Sequence, residues 1–171
     1  MAAETEIRPV GPDEAEEAGR LVEAAYRHLL GPHMETDYAT ELADVAGRMD
    51  ASDVLVAVVD GQLVGCVTYV PDASSPLAEH LREGEAGIRM LAVRAAAQRR
   101  GIGRALTIAC IERARAASRR RLFLHSDQQM PAAHALYRSL GFQPQPDRDW
   151  SPSPAYQLRA FALNLDEPGP A

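Results

Sequence analysis

Apolar and polar residues recur along the chain with two periods, and each period marks an element. Residues 54–59 form a nearly unbroken apolar run, as for a central strand buried on both faces. Asp60-Gly61 is a hairpin signal, and residues 62–70 supply the partner strand. Residues 7–10 predict a short first strand, stopped by Gly11-Pro12. Pro12 then opens a helix whose first turn carries Asp13, Glu14, Glu16 and Glu17, which suit the helix dipole. Ala18, Leu21, Val22, Ala25 and Leu29 recur on one helical stripe before Gly31-Pro32. A second helix begins at Thr36, with Tyr38, Leu42, Val45 and Met49 on one face.

The second half repeats the alternation. A polar loop covers residues 71–84, a strand 85–93, a helix 101–118 with Ile102, Leu106, Ala109 and Cys110 inward, and a strand 121–125. Residues 131–140 predict a helix with Gly141 as its C′ glycine, and Phe142 starts another strand. A Pro-rich loop over 143–154 carries Trp150, and residues 156–165 form a last strand in which Leu158, Ala160 and Ala162 alternate with Phe161 and Leu163. Residues 166–171 are expected to be a disordered tail. The order β-α-α-β-β-β-α-β-α-β-β predicts an α/β or α+β mixed sheet with flanking helices, in one domain over residues 1–165.

Composition narrows the class. The 171 residues are 46% hydrophobic and 25% charged, ordinary globular proportions. No apolar run is long enough for a membrane-spanning helix, so no membrane partner is expected. The first six residues lack the basic and apolar regions of a signal peptide. Two cysteines, Cys66 and Cys110, are too few for a disulfide framework and fit reduced thiols in a cytoplasm.

Charge is segregated. All 18 basic residues are Arg, and residues 94–121 hold nine of them with one acid, a local net of +8 against −14 for the rest. Such a segment suits a small polyanion. Nucleic acid is the competing partner, but the segment has no aromatic for base stacking and the acidic remainder would repel a long polyanion. No nucleic-acid partner is therefore expected.

The centre of that segment is Gln98-Arg99-Arg100-Gly101-Ile102-Gly103-Arg104-Ala105. Two glycines opening a helix let backbone amides approach an anion, and the helix N-terminus adds unpaired N–H groups. A P-loop needs Gly-Lys-Ser/Thr, and there is no Lys. A dinucleotide fingerprint needs a third glycine after the first strand, and it is absent. The remaining readings are the Q/R-x-x-G-x-G/A acyl-CoA motif and a helix with a solvated Arg face.

A second block lies downstream. Ala133-His134-Ala135-Leu136-Tyr137-Arg138-Ser139-Leu140-Gly141-Phe142 follows A-x-x-L-Y-x-x-x-G-F. With Arg89-Met90-Leu91-Ala92-Val93 and the glycine turn ahead of it, the chain resembles the GNAT superfamily of acetyl-CoA-dependent N-acetyltransferases. The resemblance extends weakly to Ile7-Arg8-Pro9 and Val64-Gly65, and the Asp149-Trp150-Ser151-Pro152 loop is similar to a subgroup of generic members.

The resemblance implies a GNAT fold: a mixed, mostly antiparallel sheet of six to seven strands, about four helices and splayed central strands. It implies acetyl-CoA as cosubstrate and no metal. The pantetheine arm would lie along Leu91, Ala92 and Val93, and the pyrophosphate on Arg99, Arg100, Gly101, Ile102, Gly103, Arg104 and Ala105. The Val93 N–H would face the oxyanion, and Tyr137 would protonate or orient the departing thiolate.

Two positions depart from the family pattern. Gly87 stands where members often carry an acid; Glu85, two residues earlier on the same strand face, is either the catalytic carboxylate, acting through water, or a solvated strand-end residue, with Asp127 and His125 as further candidates for the base. Met130 stands where members often carry Asn, so the cap of the following helix is lost. The acceptor site would draw on the first two helices, the 71–84 loop and the Trp150 loop, with Tyr26, Tyr38 and Trp150 as its contacts. His28 and His33 flank Gly-Pro without metal-site spacing.

The expected activity is acetyl transfer to a small-molecule or peptide amine by direct attack in a ternary complex, since neither cysteine is placed as a nucleophile. A non-catalytic acyl-CoA-binding module is the alternative. Edge-strand pairing through the final strand would allow a homodimer.

Overall fold

The computed structural model describes residues 3–166 and consists of one eight-stranded sheet with helices on both faces. In chain order the elements are β1 (Thr5–Pro9), α1 (Ala15–Leu30), α2 (Thr36–Ala43), α3 (Val45–Arg48), β2 (Asp53–Val59), β3 (Gln62–Val70) and β4 (Glu85–Val93). They continue with α4 (Ile102–Ala116), β5 (Arg121–Asp127), α5 (Pro131–Ser139), β6 (Gln143–Pro144), β7 (Trp150–Ser153) and β8 (Tyr156–Asn164). The sheet order is β1-β2-β3-β4-β5-β8-β6, with β7 also on β8. All neighbours are antiparallel except β4 and β5.

The unbroken apolar run of β2 has a physical reason. Val54, Val56 and Val58 pack under α1–α3, while Leu55, Ala57 and Val59 pack under α4, so both faces of the strand are buried. A 3-10 turn at Pro12–Glu14 precedes α1, and the Glu14 carboxylate accepts from the Gly11 amide at 2.8 Å. The single second helix expected from Thr36 onward is two helices. The backbone breaks at Asp44, whose carboxylate then caps α3 by accepting from the Gly47 amide at 2.9 Å.

Strand and helix numbers exceed the expected six to seven and about four, because the 143–154 loop contributes β6 and β7 and because of this break. The expected homodimer edge is also corrected. β8 lies between β5 and the β6/β7 segments, so the final strand is interior and not an edge. Residues 167–171 of the expected tail lie outside the described residues.

One irregularity positions the site. β4 pairs with β5 only from Glu85 to Ile88, then runs on to Val93 while β5 runs on to Asp127. At that point the β3–β4 register shifts, and Met90 sits at φ 54°. The kink also flips the side-chain parity: Ala86 and Ile88 face the α4 side, but Met90 and Ala92 face the α1 side. Two neighbouring strands thus diverge and leave backbone groups unpaired between them.

Candidate active site

The exposed backbone can be traced residue by residue. The Arg94 amide donates to the Val64 carbonyl at 2.8 Å, and Gly65 stands opposite Val93. In an antiparallel pair this is the non-hydrogen-bonded register, so the Val93 N–H and C=O turn away from β3, toward the splay. Leu91 and Val93 are half-buried there, and Ala92 is buried.

Past β4 the chain makes a 3-10 turn and reaches Arg99, at φ 64°, and Gly101, at φ 79°. Left-handed backbone at Gly101 costs a glycine little, and a Cβ there would meet open space. Among the described residues no backbone carbonyl accepts from the amides of residues 99–104, and the first helical bond of α4 runs from Ala105 to Gly101. Unpaired amides at and just before a helix N-terminus suit an anion cradle. Arg99 and Arg100 are exposed and form no ion pair among the described residues, whereas Arg104 donates to Ser139 Oγ at 3.1 Å. Ile102 is buried beneath the cradle, and Gly103 and Ala105 are half-buried in the first turn of α4.

Most of the rest of the basic segment is paired within the molecule. Arg113 pairs with Asp53, Arg119 with Asp72, and Arg121 with Asn164 and Glu85. Arg120 donates to the Glu83 carbonyl, which leaves its charge in place, and Arg115 is exposed with no partner among the described residues, so part of the +8 remains outside the glycine turn.

The splay opens into a cavity of ≈ 390 Å³. Tyr137 enters it from α5, His125 and Asp127 from the end of β5, and Leu91 from β4. The Tyr137 ring packs against Phe142 and Phe161, with ring centroids 5.7 and 6.0 Å away. Its hydroxyl has no protein partner among the described residues. Burial, with a smaller contribution from Cys110, raises its pKa well above the ordinary phenol value, so it stays protonated.

His125 Nε2 lies 2.8 Å from the Arg148 carbonyl oxygen. A carbonyl can only accept, so Nε2 carries the hydrogen and Nδ1 keeps the lone pair. Burial lowers the His125 pKa most, the neighbouring His80 and Arg148 lower it further, and the carbonyl bond and Asp149 oppose them. The net direction is downward, so the ring is neutral at pH 7.

Glu85 is placed elsewhere than a catalytic carboxylate would be. It lies outside the cavity wall, buried, with both oxygens on the Arg148 guanidinium at 2.7 and 2.9 Å and the Arg82 amide at 2.9 Å. Burial acts to raise its pKa, but the Arg148 and Arg82 hydrogen bonds and the charges of Arg148 and Arg121 outweigh it, and the carboxyl is held below its ordinary 4.5. Gly87 is closely packed. A Cβ there would stand 3.1 Å from the end of the Leu81 side chain, which occupies the space above β4 and would have to give by a few tenths of an ångström.

At α5 no side chain caps the helix at Met130; the Asp127 carboxylate instead accepts from the Gln129 amide at 2.8 Å, before the helix begins.

The far wall joins the remaining candidates. Tyr26 and Tyr38 meet edge to face at 6.2 Å, and burial raises both hydroxyl pKa values, that of Tyr38 to about 12. Among the described residues Trp150 is the exposed large hydrophobic, at 40%, and its ring meets His80 at a tilt, 4.5 Å away, which in turn meets His125 at 4.9 Å. Glu35, Glu41 and Glu79 line the mouth, and Arg89 within it reaches Glu41 at 3.3 Å. His80, Arg89 and Arg148 were missed as site residues in the sequence. A lone His in a loop and an Arg paired 63 positions away carry no local pattern. Among the described residues no group of three or more His, Cys, Asp or Glu could hold a metal ion, and no helix is long and apolar enough to cross a membrane.

Comparison with known proteins gives concordant matches. The mycothiol acetyltransferase of Renibacterium salmoninarum is 32% identical over 141 residues, covering 80% of this chain and 40% of that protein. The chain thus spans about two fifths of the length of this curated relative. A GNAT-family acetyltransferase of Staphylococcus aureus Mu50 superposes with a TM-score of 0.76 at 14% identity, covering 95% of this chain and 99% of that one. YncA of Salmonella typhimurium, solved with acetyl-CoA, superposes with a TM-score of 0.69 at 21% identity, covering 95% of each chain. The model of the acetyltransferase (GNAT) family matches residues 16–142. That match runs from the start of α1 to the residue after Gly141 and takes in the splay, the glycine turn and Tyr137, so the chain belongs to the GNAT acetyltransferase family.

Proposed function

We propose that this chain moves the acetyl group of acetyl-CoA to a primary amine by direct attack in a ternary complex. One observation carries the reading. The divergence of β4 from β5 opens an unpaired backbone edge between an amide cradle and a cavity that Tyr137 and His125 both enter.

The residues fit the cosubstrate. The amides of Arg99 to Arg104, with Gly101 leaving room beside them, suit a pyrophosphate, and Ala105 starts the helix behind it. The splayed edge at Leu91, Ala92 and Val93 offers strand-like pairing to an extended amide-bearing arm. Acetyl-CoA supplies an activated acyl group and a thiolate that leaves.

This chain's groups divide the proton work. His125 Nδ1 accepts the proton of the incoming ammonium, a task suited to a neutral imidazole. The Val93 N–H donates to the oxygen on which charge develops. The Tyr137 hydroxyl donates to the sulfur as the C–S bond breaks, and the second proton shed by the acylated nitrogen restores the phenol. Glu85, committed to Arg148, is assigned no proton transfer, and Asp127 takes an anchoring role for the amine.

Cys66 and Cys110 are buried, with pKa values pushed up to about 12, and neither fits an acyl-enzyme nucleophile. Two free thiols also fit a cytoplasmic location.

The acceptor is read as a cationic amine, free or on a peptide. Three glutamates against one arginine make the cavity mouth negative, and Tyr26, Tyr38 and Trp150 supply apolar and cation–π surface. The Renibacterium relative is named a mycothiol acetyltransferase, and the acceptor of such an enzyme belongs in the panel.

Calorimetric titration with acetyl-CoA, followed by thiol release over an amine panel, tests the reading. Binding with amine-dependent release supports it. Binding without release on any amine replaces it with an acyl-CoA-binding module, and absence of binding removes both.

A further inference from the structure

We propose that the buried Glu85–Arg148 ion pair is a positioning device: it holds His125 in one tautomer and fixes the two loops that wall the acceptor cavity. This rests on reading His125 as the base, and the test below separates the two.

Arg148 sits in the connection between β6 and β7, 63 positions from Glu85, and the two side chains are 6% and 5% exposed. Their bond is a fork on a fork, 2.7 and 2.9 Å. The same guanidinium donates to the His80 carbonyl at 2.7 Å and lies 3.6 Å above the Phe123 ring. Its own backbone carbonyl takes the His125 Nε2 hydrogen.

One residue therefore ties four things together. It anchors β4 through Glu85, the 71–84 loop through His80, β5 through Phe123, and the imidazole through a carbonyl. A buried ion pair is a poor source of net stability, because desolvation consumes most of the Coulombic gain. What it supplies here is a fixed place for the 148 carbonyl, and hence a fixed Nδ1 lone pair.

The groups around His125 are accounted for. His80 faces it from the 71–84 loop, with Trp150 behind, and Phe123 meets it at 5.0 Å from its own strand. The Arg148 guanidinium and the Asp149 carboxylate act on it through space, and Asp149 is itself held by Arg159 and the Ala160 amide. Asp127 lies two residues along β5. Arg148 is the one among them that also bonds the ring.

The test uses the full chain with Arg148→Lys and Arg148→Met, and Glu85→Gln as a volume-conserving second route. Imidazole nitrogen NMR of His125 in the unvaried chain should show a single Nε2–H tautomer. In Arg148→Met and Glu85→Gln the tautomers should mix and kcat should fall by about 10²-fold while acetyl-CoA affinity stays within twofold, and in Arg148→Met the acidic limb of kcat/KM should move up in pH as water reaches the ring and the neighbouring cation is removed. Arg148→Lys should recover part of kcat. Unchanged imidazole signals and an unmoved pH limb, with activity lost only as folded protein is lost, would overturn the proposal. His125→Gln at full turnover would remove the base reading alone, and the imidazole signals would still decide the positioning claim.

Discussion

Replacing Tyr137 by Phe separates chemistry from folding in this site. The ring contacts with Phe142 and Phe161 persist, because only the hydroxyl is removed. That hydroxyl has no protein partner among the described residues, so its loss orphans no buried group. Stability should therefore change by less than about 1 kcal/mol, and acetyl-CoA affinity by less than about twofold. Turnover should behave differently. A positioned acid contributes roughly 10²- to 10⁴-fold, or about 3–5 kcal/mol of barrier. In the unvaried chain no alkaline loss of activity should appear below about pH 10, since burial raises the phenol pKa and keeps the proton in place through the assay range. The assay is CoA thiol release at saturating acetyl-CoA and amine, beside calorimetry and thermal melting of both chains. A Tyr137→Phe chain with kcat within threefold of the original would refute the acid role. So would a kcat loss matched by equal losses of affinity and melting temperature, because that would mark the tyrosine as packing.

Three other outcomes check different parts of the account. A Cβ at Gly19 would overlap the Ala43 carbonyl oxygen, so Gly19→Ala should lower stability by about 1–3 kcal/mol, read as a lower urea midpoint, despite the better helix propensity of alanine. An unchanged midpoint would mean that α1 and α2 separate easily. The Arg8 side chain and the Gly11 amide hold the Glu14 pKa down from 4.5 to about 2. A depressed carboxyl stabilises above its unfolded pKa and ceases to as pH falls through the folded value. Melting temperature should decline between about pH 4.5 and 2 with a slope that Glu14→Gln reduces. Cys66 and Cys110 should resist thiol reagents in the folded chain and react together after unfolding, whereas fast native labelling would contradict their burial.

The sequence disclosed what local periodicity and spacing encode. The two-sided apolar run of β2, the Asp60-Gly61 hairpin and the glycine turn were legible because each is written within ten residues. Tyr137 and the splay at Leu91–Val93 were legible through family motifs. The break at Asp44 was hidden because Val45 continues the stripe of Leu42, while a capping side chain can end one helix and start another at the same point. β7 was hidden by Pro152 and Pro154, which read as loop although an edge position tolerates them. The fate of Glu85 was least legible. On strand parity it faces the same side as Gly87, yet a partner 63 positions away neutralises it, and no sequence pattern reports such a pair. The same holds for His125, which reads as a lone strand histidine until the Arg148 carbonyl and the cavity give it an orientation.

The most direct test of acetyl transfer is amine-dependent release of CoA thiol by the purified chain, followed across a panel of cationic amines with mass detection of the product. The account predicts saturable release with at least one amine, matched mole for mole by acetylated amine and lowered by about 10²-fold or more in Tyr137→Phe. Tight acetyl-CoA binding with no thiol release on any amine, or release equal in the Tyr137→Phe chain, would contradict it.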